Sequence, residues 1–168
     1  MGEVGRILRK NENIDIYKLL HDIKLAAERA DLKPIIDTKL YKSMIGGVYT
    51  TASIANTYED IPGAQQWLMY IHSKGDCIGN FDWIGENLMS PIFIEDIIFI
   101  EDISGCERIL LDFLYEYFRL NPNDYFWDEN ELFYTCEDIV KIKQEKFDPG
   151  WCCKNRHSQD DKQARNQI

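Results

Sequence analysis

Apolar residues recur at helical spacing in two long stretches. Ile16, Leu19, Leu20, Ile23 and Ala27 line one face of a helix predicted over residues 15–30, with Asn13 or Asp15 as its cap and Pro34 beyond its end. Cys106, Ile109, Leu110, Phe113, Leu114, Tyr117 and Phe118 trace the clearest helical face in the chain. Ser104 and Glu107 have the spacing of a capping box in front of it, and Pro122 stops it near Leu120. Two shorter helices are also predicted. One covers 63–73, with Pro62 at its start, Trp67, Leu68 and Ile71 on one face and Gly75 as its stop. The other covers 136–145, capped by Thr135 with Asp138.

Other stretches follow strand or mixed patterns. Residues 35–44 fit a short helix or an extended segment ending at Gly46-Gly47. Residues 48–58 combine β-branched side chains with a spacing that also permits a helix, and 78–90 hold two glycines and fit a loop with a short helical turn. A local duplication follows, Ile92-Phe93-Ile94-Glu95-Asp96-Ile97 and then Ile98-Phe99-Ile100-Glu101-Asp102-Ile103. Its β-branched density favours a strand, but Glu95 and Asp96 cannot both face solvent from one regular strand. A bulge or turn resolves this, and a helix begun at Ser90-Pro91 is the alternative. Tyr125-Phe126-Trp127 and Leu132-Phe133-Tyr134 flank Asp128-Glu129-Asn130-Glu131 as an aromatic hairpin with an acidic loop. The expected fold is therefore α+β: a helix-rich single domain over 1–150 with a small antiparallel sheet holding the 125–134 hairpin and 92–100. A flexible polar tail is expected over 151–168.

Composition supports one globular domain: 168 residues, 45% hydrophobic and 12% aromatic, are enough for a real core. Charge sharpens the picture. The net charge is −10, yet Gly75–Val140 holds sixteen carboxylates against Arg108 and Arg119, so this stretch alone carries 2 − 16 = −14. The flanks are mildly basic. Such a surface draws a basic partner and repels nucleic acid and anionic membranes.

Residues 1–14 have no apolar run of a signal peptide, and no stretch reaches the ~18–20 apolar residues of a membrane span. The five cysteines, Cys77, Cys106, Cys136, Cys152 and Cys153, have no disulfide-framework spacing, which points to reduced thiols and a cytoplasmic protein. Adjacent Cys152-Cys153 near His157 do not match the paired spacing of zinc ligands. The three histidines, His21, His72 and His157, have no motif neighbours, and no phosphate loop, nucleophile elbow or zinc-protease motif is present. No catalytic residue, cofactor or metal is therefore assigned.

The carboxylates leave three readings open. Glu95, Asp96, Glu101 and Asp102 could serve a metal-dependent hydrolase. Acids spaced like phosphates could mimic DNA and inhibit a nucleic-acid-binding protein. Acids interleaved with aromatics could form a protein-binding surface, since aromatic side chains supply interface hot spots. The candidate partner-binding residues, chosen from charge and aromatic neighbourhood, are Asp82, Trp83, Glu86, Glu95, Asp96 and Glu101, together with Asp102, Asp124, Asp128, Glu129 and Glu131.

Residues 102–142 add a resemblance. The acidic aromatic helix, the Leu120-Asn121-Pro122-Asn123-Asp124-Tyr125 stretch, the aromatic hairpin and the Tyr134-Thr135 helix start with Glu137-Asp138 resemble the C-terminal region of immunity proteins encoded beside bacterial contact-dependent growth-inhibition toxins. The resemblance covers about a quarter of the chain. It implies a small cytosolic protein without catalysis, which binds the C-terminal toxin domain of a cognate effector. Such toxins are often nucleases with basic substrate surfaces. The resemblance supplies no site residues.

Overall fold

The computed structural model describes residues 3–10, 13–80, 93–130 and 132–153. These form one antiparallel sheet of strands β1 (Gly5–Lys10), β2 (Lys33–Ile36), β3 (Tyr41–Lys42), β4 (Val48–Ala55), β5 (Gln66–Asn80), β6 (Phe93–Glu101), β7 (Tyr125–Asp128) and β8 (Phe133–Tyr134). Three α-helices accompany them: α1 (Ile16–Arg29), α2 (Glu107–Leu120) and α3 (Cys136–Gln144). The strand order is β2-β4-β5-β6-β1-β7-β8, with β3 beside β4. Among the described residues 50 lie in strands and 37 in α-helices, so the expectation of a helix-rich domain with a small sheet is overturned. The sheet is the body of the molecule.

The correction has three sources. The segment predicted as a helix over 63–73 lies mostly in β5, where Trp67, Met69 and Ile71 point into the core and Leu68, Tyr70 and His72 point the other way. Both faces of that strand are apolar or aromatic, so helical spacing among them was coincidental. Gly75, expected to stop a helix, lies within β5. A Cβ there would sit 2.1 Å from the Asp96 carbonyl oxygen, so the bare backbone lets β6 close in. The third source is β1. Its six residues, Gly5–Lys10, show no strict alternation, with Ile7 next to Leu8 and Arg9 next to Lys10, yet it lies inside the sheet between β6 and β7.

Other expectations resolve more simply. Residues 48–58 contribute β4, and 35–44 contribute β2 and β3. The duplicated segment is one strand, β6, and Ile97 is the extra residue of a bulge where pairing slips between Ile7↔Ile98 and Leu8↔Asp96. Helix α1 is capped by Asp15, which accepts from the backbone N–H of Tyr17 and Lys18. The Ser104–Glu107 box does not form. Cys106 occupies the cap of α2 without a side-chain capping bond, its Sγ donating to the Gln66 carbonyl, and Glu107 accepts from the Gly105 N–H instead. The Thr135–Asp138 box does form at α3. The first residues of the tail predicted over 151–168 are part of the fold, in a 3₁₀ turn over Trp151–Cys153. Trp151 and Cys152 are buried, and Trp151 Nε1 donates to the Glu107 carbonyl at 2.9 Å. Of the loop predicted over 78–90, residues 78–80 belong to β5 instead, and 81–90, like 154–168, lie outside the described residues.

All three helices pack on one face of the sheet. Ile7, Ala52, Ile54, Trp67, Met69, Ile71, Ile98, Ile100 and Phe126 join the apolar stripes of α1, α2 and α3 in one core. The opposite face carries a half-buried cross-strand row, Thr51–Tyr70–Phe99–Arg6–Trp127–Phe133. None of these six residues belongs to the helix-covered core. No helix is long and apolar enough to cross a membrane among the described residues.

Candidate functional site

Strand β1 brings together acids that lie far apart in sequence. Gly5 pairs with Ile100 of β6 on one side and with Asp128 of β7 on the other. The Ile103 N–H donates to the Glu3 carbonyl at 3.1 Å and fixes the register just beyond the strand. Glu3, Glu101, Asp102, Asp128 and Glu129 therefore share one edge of the molecule. None of the five forms an ion pair among the described residues. Asp102 and Glu129 are exposed, and Glu3 and Glu101 are half-buried. Asp102 has a left-handed backbone, φ 63°, which an aspartate tolerates better than most residues.

Asp128 is the exception in this group, because it is buried at 6% exposure. Its Oδ1 accepts from the backbone N–H of Asn130 and of Leu132, each at 2.9 Å, and so closes the hairpin loop. Its Oδ2 has no hydrogen-bond partner among the described residues. Burial pushes its pKa up to about 6, against the opposing pull of the Leu132 and Asn130 donors, and the Glu129 charge adds to the rise. Beside it lies a cavity of about 10 Å³. Val4, Ile103 and Phe126 are among its apolar lining residues, and Glu3 and Glu129 among its acidic ones.

The aromatic sheet face adjoins this edge. The Arg6 guanidinium lies 5.0 Å from the Phe99 ring centroid and 5.7 Å from that of Trp127, and pairs with Asp96 at 2.5 Å. Tyr70, on the strand next to Glu101, is pushed up in pKa by burial and then by the Glu101 charge.

At the other end of β1 the acids are consumed internally. Arg9 grips Asp124 with Nε and Nη2, both at 2.8 Å, and Nη2 also donates to Asn121 Oδ1 at 2.9 Å. The Tyr117 hydroxyl donates to Asp124 Oδ2 at 2.8 Å. Asn121 Nδ2 reaches Asp22, which also takes Lys18 Nζ at 2.6 Å. Burial holds the Tyr117 hydroxyl far above its usual range, and the Asp124 charge reinforces this. The network ties β1, α1 and α2 to the turn before β7.

The structure thus divides the acids predicted to meet a partner. Glu101, Asp102, Asp128 and Glu129 converge at one edge. Asp96 is spent on Arg6, Asp124 on Arg9 and Tyr117, and Glu95 accepts from the Gly75 N–H at 3.3 Å. Asp82, Trp83, Glu86 and Glu131 lie outside the described residues. Glu3, Arg6, Tyr70 and Phe99 were missed, because no local alternation marks Gly5–Lys10 as a strand and the start of β5 imitates a helix. Among the described residues no three His, Cys, Asp or Glu side chains are grouped to hold a metal ion. Burial raises the pKa of the Cys106 and Cys136 thiols, the direction opposite to an activated nucleophile. No family model, characterised protein or solved structure matches this chain.

Proposed function

We propose that this protein is an immunity protein, which binds the C-terminal toxin domain of a contact-dependent inhibition effector and blocks its basic, nucleic-acid-handling surface. The acidic edge carries this reading: Glu3, Glu101, Asp102, Asp128 and Glu129 gather on adjacent strand ends with no ion pair among the described residues. Carboxylates without an internal cation raise association rates with basic surfaces and fix orientation. The neighbouring row of Tyr70, Phe99, Arg6 and Trp127 offers the aromatic and arginine side chains that carry interface energy. The likeness of residues 102–142 to immunity proteins supplies the partner class, and the cytoplasm is where such a protein would work.

The test is protection. Cells carrying this chain should survive expression of the toxin domain encoded beside it, and the purified pair should bind with nanomolar or tighter affinity. Binding should weaken as salt rises. The triple variant Glu101→Gln/Asp102→Asn/Glu129→Gln should slow association about tenfold at low salt and flatten the salt dependence. Absence of protection by the wild-type chain sinks the reading.

A further inference from the structure

Asp128 is the one member of the acidic edge that is buried, and the fold leaves one of its oxygens unsatisfied. A buried carboxylate oxygen without a donor is costly, and native structures rarely keep one without a use. The loop-closing duty of Asp128 falls entirely on Oδ1, which takes both backbone N–H groups. Oδ2 is therefore available to a group from outside.

We propose that the Asp128 cavity receives the ammonium group of a lysine side chain presented by the partner protein. This rests on the partner-binding reading above and names its anchor. Three observations select lysine. First, Asp128 offers one oxygen rather than two, whereas a guanidinium binds carboxylates best through two parallel bonds. Second, the cavity of about 10 Å³ is the size of one water, which suits a compact ammonium head and not a planar guanidinium. Third, half-buried Val4 supplies apolar surface for the methylene stem at the mouth, and Glu3 and Glu129 hold negative charge around the cavity. A divalent metal is a poorer fit, because no set of three ligands converges among the described residues.

The experiment needs no toxin. The full-length chain, isotope-labelled, is titrated with end-blocked Gly-Lys-Gly, Gly-Arg-Gly and Gly-acetyllysine-Gly tripeptides near neutral pH, where Asp128 is ionised. The Asp128 carboxyl carbon and the backbone amides of Asn130 and Leu132, which exist in the variants as well, are followed by NMR. The lysine peptide should give a saturable shift, the arginine peptide should bind about tenfold more weakly, and the acetyllysine peptide should give none. The response should vanish in Asp128→Asn, whose side-chain carbonyl still accepts the loop N–H groups, and persist in Asp102→Asn. Equal response to lysine and arginine, a response surviving Asp128→Asn, or no saturation with lysine each overturn the proposal. The two ideas fail separately. A chain that protects cells but ignores the lysine probe keeps its function and loses this anchor. A chain that takes the probe but does not protect has a lysine site and a different partner.

Discussion

Asp124 and Asp128 stand at the two ends of one short strand, and both are withdrawn from solvent, at 3% and 6% exposure. Their fates differ. Asp124 meets a bidentate arginine and a tyrosine hydroxyl, so both oxygens are satisfied. Asp128 meets two backbone N–H groups on one oxygen and nothing on the other among the described residues. The first is a structural clip that joins two helices to the sheet. The second is a charge held in reserve. Burial alone does not separate structure from function in an acidic protein; what separates them is whether the fold supplies the counter-charge.

The largest effect should come from breaking the clip. Arg9→Met leaves Asp124 buried without its cation, and loss of one partner of a buried pair costs about 3–5 kcal/mol. Chemical denaturation should show that loss. The double variant Arg9→Met/Asp124→Asn should recover most of it, because the neutral amide can still accept from Tyr117. A small loss in the single variant would mean that solvent screens the pair, and the contrast with Asp128 would weaken.

The opposite sign is expected at Asp128. Its folded pKa of about 6 lies above the ordinary aspartate value of 3.8. Between these values the folded chain keeps a proton that the unfolded chain has released, so stability falls as pH rises through the window and stays lower above it. After allowance for solvent screening the cost is about 1–2 kcal/mol. Asp128→Asn should therefore be more stable than wild type by that amount at pH 7, and equal to it below about pH 4. Denaturation midpoints measured across pH give the answer. A variant less stable at neutral pH would return Asp128 to the structural class.

The elements that frame this contrast were legible in sequence, but unevenly, and the contrast itself was not. The aromatic hairpin, α1, α2 and the Thr135–Asp138 cap follow from local patterns that tertiary packing did not override. The sheet as a whole was hidden because β5 is apolar on both faces and so imitates a helix, while Gly5–Lys10 lacks the alternation that marks a strand. Charge density singled out 75–140, but it could not tell Asp96 and Asp124 from Glu101 and Asp102. That distinction depends on Arg6 and Arg9, more than eighty residues away in the chain, and on the register that places them. Glu3 lay outside the acidic stretch altogether and enters the edge only through its place just ahead of β1.

The smallest effect tests why Asp128 is perturbed. Burial is the main cause and the Glu129 charge a lesser one. Glu129 is exposed, so Glu129→Gln should change stability by no more than about 0.5 kcal/mol. Removing its charge also removes a repulsion that disfavours ionised Asp128, so the Asp128 pKa should fall below about 6 without returning to 3.8. Carboxyl NMR titration resolves this. A full return would make Asp128 one half of a repelling acidic pair, and burial would then play little part. No movement would isolate burial as the sole cause and confine the reserved charge to the cavity. A partial fall ties the buried carboxylate to its exposed neighbour, as a surface built to receive a cation requires: a cation arriving at the edge relieves both acids at once.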